Sequence, residues 1–126
     1  MNKKQMQKLE KKLNSSYQET IENIEALQAR LEDLEENVKE VHTGHHFFEG
    51  GGISYERELV CLQIEKMKKY LRAIENALRM INKNDGYGIC EKCGRPIPFK
   101  RLLAVPITKK CIKCKKNGGN GNGNGI

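Results

Sequence analysis

Four of the five cysteines in this 126-residue chain form two Cys-x-x-Cys pairs, Cys90/Cys93 and Cys111/Cys114, with 17 residues between them. Each pair brings two thiolates together in one tight turn, and four thiolates can surround a zinc ion as a tetrahedron. Gly94 directly follows the first pair, where such a turn often requires a positive φ. The spacing therefore predicts one structural Zn²⁺ held by these four cysteines, with no coordination position left for a catalytic water.

The alternative chemistry for these cysteines is a dithiol redox pair. It fits less well, because two pairs at this separation are typical of a zinc ribbon and no thioredoxin-like βαβ pattern surrounds them. The fifth cysteine, Cys61, lies beside the apolar seam of a predicted helix and is expected to be a small packed residue. Cysteines used for metal indicate a reducing compartment. No apolar run reaches ~18 residues and no signal-peptide core is present, which predicts a soluble cytoplasmic protein without membrane contact.

The first 42 residues show helical periodicity without Gly or Pro. Their apolar residues recur at alternating steps of three and four, which defines a heptad seam. The seam consists of Ile24, Leu27, Leu31, Leu34, Val38 and Val41. Upstream, Met6, Leu9, Leu13, Tyr17 and Ile21 follow at constant steps of four. This stutter predicts that the helix, expected over residues 2–42, changes its packing partner near its start.

A second seam predicts a helix from Ser54, the expected N-cap, to about residue 83. It consists of Val60, Ile64, Met67, Leu71, Ile74, Leu78 and Ile81. Three consecutive glycines at 50–52 are interpreted as incompatible with a helix and place a tip at residues 43–53. Because this connection is short, an antiparallel coiled-coil hairpin within one chain is favoured over an intermolecular coiled coil. The predicted fold is mainly α, with the hairpin over residues 1–84 of a monomer.

Residues 85–116 form the predicted zinc ribbon. Prolines at positions 96, 98 and 106 argue against helix, so short irregular strands are expected around the metal. So small a lobe would draw much of its folding free energy from zinc. Met6, Leu9 and Leu13 are expected to dock on it, which would explain the stutter. The Gly/Asn-rich residues 117–126 are predicted to be disordered.

The net charge of +7 is unevenly distributed. Residues 1–12 carry five lysines and one glutamate, residues 13–42 two basic and eight acidic groups, and residues 84–116 nine basic and two acidic groups. The basic ends suit nucleic acid or an acidic protein surface, but the acidic middle argues against a continuous nucleic-acid track. No nucleophile–base pair, phosphate loop or carboxylate dyad is evident, so no enzyme is predicted. His42, His45 and His46 near the tip lack neighbouring cysteines or carboxylate pairs and are expected to be solvated.

A helical hairpin that leads into a four-cysteine ribbon resembles the DksA/TraR family of bacterial transcription factors. The likeness is specific in the ribbon, where Ile97, Arg101 and Pro106 stand between the cysteine pairs at the spacings of the family's zinc-finger signature. The segments 85–89 and 55–59 are also similar to the family. Over residues 1–42 the resemblance is architectural only.

This resemblance implies a protein that binds RNA polymerase and makes no sequence-specific contact with DNA. The hairpin would enter the polymerase secondary channel and alter open-complex stability, in some members together with ppGpp. Candidate partner-binding residues are Phe47, Phe48 and Glu49 at the tip and Arg101 in the ribbon.

Two features depart from the family's pattern. The tip lacks the Asp-x-x-Asp-x-Ala motif of the best-known members, with Glu49 as its only acid, and the tail cannot continue into a C-terminal helix. Two other functions stay open at this point. One is a nucleic-acid-binding ribbon, and the other is a coiled-coil structural adaptor without polymerase activity. The ribbon would use Lys92, Arg95, Lys100, Arg101, Lys109, Lys110 and Lys113.

Overall fold

The computed structural model describes residues 1–40 and 46–116, with side chains described for residues 1–36 and 55–116. Over these ranges the main helices are α1 (Lys3–Glu40), α2 (His46–Lys83) and α3 (Phe99–Ala104), and residues 112–116 form a short helical segment. Within those ranges, the β pairing is limited to one isolated bridge between Ile89 and Pro96. The predicted mainly-α fold, a helical hairpin with a small four-cysteine lobe, is confirmed. None of the described helices is both long enough and apolar enough to cross a bilayer.

The chain divides into two compact units. The lobe unit comprises Met1–Tyr17 and Ala73–Ile126, and the hairpin unit comprises Gln18–Arg72. The unit that contains the four paired cysteines therefore also includes the start of α1 and the end of α2. In the lobe unit the start of α1 packs against the end of α2, whereas in the hairpin unit the later part of α1 packs against the earlier part of α2. The two helices are therefore antiparallel.

The start of α1 is fixed by a reciprocal cap. The side-chain oxygen of Asn2 accepts a hydrogen bond from the Gln5 backbone N–H at 2.8 Å, and the Gln5 side chain accepts one from the Asn2 N–H at 3.2 Å. Two of the N–H groups that a helix start leaves unpaired are satisfied in this way.

In the hairpin unit, Leu34 packs with Val60 and Ile64 in a buried cluster, and Leu27 and Leu31 flank it. All five residues belong to the two predicted seams, which therefore pack against each other here. Two exposed ion pairs also join the helices, Arg30 with Glu56 and Arg57 with Glu35. Exposed pairs of this kind contribute about 0–1 kcal/mol, so the apolar seam supplies most of the stability.

In the lobe unit, α1, α2 and the four-cysteine lobe share one core. Leu9 and Leu13 are almost fully buried there with Ile74, Cys90 and Leu102, and Met6 packs against the cluster. The predicted docking of Met6, Leu9 and Leu13 on the lobe is thus confirmed. Two polar contacts accompany it. The Tyr17 hydroxyl donates to Glu75 at 3.1 Å, and the Lys12 Nζ donates to the Leu103 carbonyl.

The predicted start of the second helix at Ser54 is wrong. α2 begins at His46 and includes the three glycines at 50–52. A glycine inside a helix costs about 1 kcal/mol relative to alanine but still donates and accepts its backbone hydrogen bonds. Once the helix is nucleated downstream, each further residue adds a bond, so the glycines weaken this turn without ending it. The tip residues for which a role or a solvated state is predicted lie outside the described side chains; they are His42, His45, His46, Phe47, Phe48 and Glu49. Residues 117–126, which are predicted to be disordered, lie outside the described residues.

Two other expectations are corrected. Instead of irregular strands, the lobe contains α3, which begins directly after Pro98 and ends before Pro106. Proline is tolerated at a helix start, because its missing N–H would be unpaired there anyway. Cys61 is exposed and not packed, because it lies one position after the buried Val60 and so points about 100° away from the seam.

Candidate metal centre

The first cysteine pair lies on a turn that Gly94 makes possible. The Gly94 N–H donates to the Cys90 carbonyl at 2.9 Å, and the Cys90 N–H donates to the Arg95 carbonyl at 2.8 Å. Gly94 has φ +74°, which side-chain-bearing residues rarely adopt, so the predicted positive φ is confirmed. These two backbone bonds close a tight turn that brings the Cys90 and Cys93 thiols close together.

The second pair lies at the start of a helical segment over residues 112–116. The Lys115 N–H donates to the Cys111 carbonyl at 2.9 Å. A further backbone bond, from the Glu91 N–H to the Lys109 carbonyl at 2.8 Å, joins the first turn to the segment that precedes Cys111. The two pairs are therefore held against each other by backbone groups close to the cysteines on both sides.

The four sulfurs form one cluster. The Sγ atoms of Cys90, Cys93, Cys111 and Cys114 all lie within 4.8 Å of one another, and those of Cys93 and Cys111 are 3.8 Å apart. Four sulfurs at 2.3 Å from a tetrahedral zinc ion would be about 3.8 Å apart, so the cluster fits this metal. Four protein ligands would leave no coordination position for water or substrate, which is typical of a structural zinc site.

Backbone N–H groups favour thiolates at the first cysteine of each pair. Burial alone would raise the pKa of the Cys90 thiol, but the N–H groups of Cys111, Cys93 and Lys92 outweigh it and lower that pKa to about 6. The Cys114 N–H likewise lowers the pKa of Cys111. The Cys114 thiol shares a hydrogen bond with Cys111, which raises its pKa to about 12. Zinc binding would therefore release a proton from Cys114.

Tyr87 connects the two sides of the lobe next to the metal centre. Its buried hydroxyl donates to the Pro106 carbonyl at 2.8 Å, and burial raises its pKa to about 12. The ring packs in the same core as Cys90 and Leu102. The cysteine turns thus rest on a packed base and not on an open loop.

Comparison with known proteins identifies this arrangement. Residues 86–116 match the profile of the prokaryotic dksA/traR C4-type zinc finger. The structure of transcription factor DksA2 from Pseudomonas aeruginosa is similar, with a TM-score of 0.79 and 28% identity, over 93% of this chain and 84% of that one. The chain belongs to the DksA/TraR family. Its cofactor is one structural zinc ion, which the four clustered cysteines would hold.

Relatives extend the family likeness along most of the chain. An uncharacterized protein of Aquifex aeolicus is 34% identical over 114 residues, covering 90% of this chain and 76% of the relative. The RNA polymerase-binding transcription factor DksA of Haemophilus influenzae is 26% identical over 118 residues, covering 91% and 74%. The family resemblance therefore includes the hairpin as well as the zinc finger.

The structure places Arg101, the predicted partner-binding residue of the ribbon, half-buried on α3. Its guanidinium donates to the Lys110 carbonyl at 3.2 Å and to the Thr108 hydroxyl at 3.4 Å. Much of its hydrogen-bonding capacity is thus directed into the lobe. The other three predicted partner contacts, at the tip, lie where side chains are not described.

An exposed apolar stripe on α2 went unnoticed in the sequence. Tyr55, Leu59 and Leu62 are 64%, 43% and 63% exposed, although they recur at steps of four and three along one helical face. The same seam rule that identified the buried face would have identified this second one. The stripe matters because large exposed apolar side chains in a row indicate an interaction surface.

Proposed function

We propose that this protein is a non-enzymatic regulator of transcription that binds RNA polymerase in the cytoplasm. The observation that supports this most is the likeness to DksA proteins over nine-tenths of the chain, in both sequence and fold. In this proposal the hairpin enters the polymerase secondary channel as a monomer, and the zinc lobe remains at the channel entrance. The part of α1 in the hairpin unit runs from Gln18 to Glu40, which at 1.5 Å per residue is about 35 Å of helix with which to approach a buried site.

The lobe would contribute the electrostatic part of binding. Lys92, Arg95, Lys109 and Lys113 are exposed on it, and Ile112 is an exposed apolar residue between the second pair of cysteines. A surface of this composition suits an acidic protein rim, with Arg101 as a further contact. Nucleic acid is the second candidate, but Tyr87 is buried and Phe99 half-buried, so neither is open for stacking on bases.

The binding test uses purified RNA polymerase with this chain carrying a C-terminal fluorophore. We expect saturable binding that weakens as salt rises, since exposed charge pairs are screened, and that another secondary-channel factor displaces. The same titration with duplex and single-stranded DNA separates the alternatives. Tight DNA binding without polymerase binding would replace the proposal by the nucleic-acid function, and binding to neither would favour the structural adaptor.

The exposed stripe predicts where the hairpin contacts its partner. Replacing Leu59 and Leu62 together with glutamine should weaken polymerase binding by about 10-fold or more, because two apolar contacts of roughly 1 kcal/mol each are lost. Gln63→Ala is the matched control on a neighbouring, exposed position of α2. Circular dichroism of the double variant should be unchanged, since both leucines are already exposed. Wild-type affinity in the double variant would exclude the stripe from the interface.

The residues of the tip, positions 43–53, predict that this protein has only a mild effect on transcription initiation. Phe47, Phe48 and Glu49 are the proposed tip contacts, and no Asp-x-x-Asp-x-Ala motif is present to disturb the catalytic Mg²⁺. Replacing both phenylalanines with alanine should reduce the effect on open-complex lifetime more than it reduces binding. A variant given the Asp-containing motif should act more strongly than the natural chain, with and without ppGpp as paired reactions. Equal potency would show that tip acids are irrelevant in this protein.

A further inference from the structure

The short segment between α3 and the second cysteine pair is folded by two side chains. Arg101 Nε donates to the Lys110 carbonyl at 3.2 Å, and Arg101 Nη2 lies 3.4 Å from the Thr108 hydroxyl oxygen. The same hydroxyl donates to the Lys110 carbonyl at 3.0 Å, and the Thr108 N–H donates to the Val105 carbonyl at 3.0 Å. One carbonyl, that of Lys110, therefore accepts from both Arg101 and Thr108.

That carbonyl belongs to the peptide that enters the metal centre. The Lys110 C=O and the Cys111 N–H share one rigid plane, so fixing the oxygen also fixes the direction of the N–H on the opposite side. The same plane contains the Cys111 Cα, so it also sets where the Cys111 side chain begins, and the Cys111 Sγ lies within 4.8 Å of the other three cysteine sulfurs.

We propose that Arg101 and Thr108 are positioning residues of the zinc centre. They hold the Lys110–Cys111 peptide so that the Cys111 sulfur meets those of the other three cysteines. The planar guanidinium reaches the carbonyl and the hydroxyl with two different nitrogens, which a lysine ammonium cannot reproduce with the same geometry. This role stands whether or not Arg101 also touches a partner.

The test measures the zinc affinity of each variant and of the wild-type protein by competition with a chromogenic chelator. Outer residues that orient metal ligands typically change metal affinity 10- to 100-fold when they are lost, and we expect Arg101→Met to fall in this range. Thr108→Val, which keeps the shape and removes the hydroxyl, should weaken zinc binding severalfold, whereas Thr108→Ser should remain close to wild type. Lys100→Met, the loss of an exposed positive charge one position earlier on α3, is the matched control.

The absorption spectrum of the cobalt-substituted protein supplies a readout of ligand geometry. Arg101→Met and Thr108→Val should shift the thiolate-to-cobalt bands, and Thr108→Ser and Lys100→Met should not. Because both side chains act on one carbonyl, the combined Arg101→Met/Thr108→Val variant should lose less than the product of the two single effects. If Arg101→Met fails to fold, the Thr108 pair decides the matter. Equal zinc affinity and equal cobalt spectra for Thr108→Val and Thr108→Ser would overturn the proposal, as would wild-type affinity in Arg101→Met.

Discussion

Replacing Cys93 with serine is expected to abolish stoichiometric zinc binding and to unfold the lobe. A structural zinc site contributes an apparent 10–16 kcal/mol in small metal-dependent domains, and an alcohol is a far poorer zinc ligand than a thiolate. Cys93 is exposed, so the substitution removes a ligand without leaving a cavity. The measurement is metal content after dialysis against a chelator, with one zinc ion per chain in the wild type and almost none in the variant.

The fifth cysteine supplies the control for this experiment. Cys61 is also exposed, belongs to the hairpin unit and is not one of the four clustered cysteines. Cys61→Ser should therefore retain one zinc ion per chain and the wild-type unfolding temperature. Full zinc content in Cys93→Ser, or zinc loss in Cys61→Ser, would contradict the assignment of the ligands.

Leu13→Ala should lower the free energy of unfolding of the zinc-loaded protein by about 2–5 kcal/mol. Leu13 is 1% exposed and lies in the core that α1 and α2 share with the lobe. Truncating a buried leucine loses the transfer free energy of its methyl groups and leaves a cavity that the surroundings only partly fill. The measurement is denaturation by urea with zinc in excess, followed by circular dichroism.

The same chemical change at an exposed position shows what burial contributes. Leu62→Ala, at 63% exposure on α2, should change the free energy of unfolding by no more than about 0.5 kcal/mol. A large loss at Leu62 together with a small loss at Leu13 would mean that the apolar stripe, and not the shared core, holds the helices. Because Leu62 also belongs to the proposed polymerase contact, this variant separates stability from binding.

The features predicted correctly are those that leave a periodic or spaced pattern in the sequence. The cysteine spacing identified the metal centre, and the two heptad seams contain the residues that pack between the helices, among them Leu34, Val60 and Ile64. The stutter in α1 indicated a change of packing partner, and Leu9 and Leu13 do pack against the lobe. In each case side chains on one helical face report the surface that they must bury.

The features that were missed depend on competition between local effects. Three glycines at 50–52 were expected to exclude helix before Ser54, but propagation of an established helix outweighed their low helix propensity. Pro98 was taken as evidence against helix, although α3 uses it at its start. The bonds of Arg101 to Lys110 and Thr108 leave no periodic trace at all, because they join residues that only the turn after α3 brings together.

The shared core also bears on how the chain is made. Lys12 contacts Leu103, 91 positions later, and Leu9 and Leu13 lie with Leu102 in one cluster. Contacts this distant in sequence form late and slowly, because loop closure must come first. On the ribosome, the start of α1 emerges long before its partners, so its apolar face is fully covered only after both the end of α2 and the lobe have been synthesised. Cys90, one of the four cysteines that would hold zinc, belongs to that same cluster. Nascent chains in a zinc-starved cell would therefore remain open to proteases at their first helix, far in sequence from the missing ion.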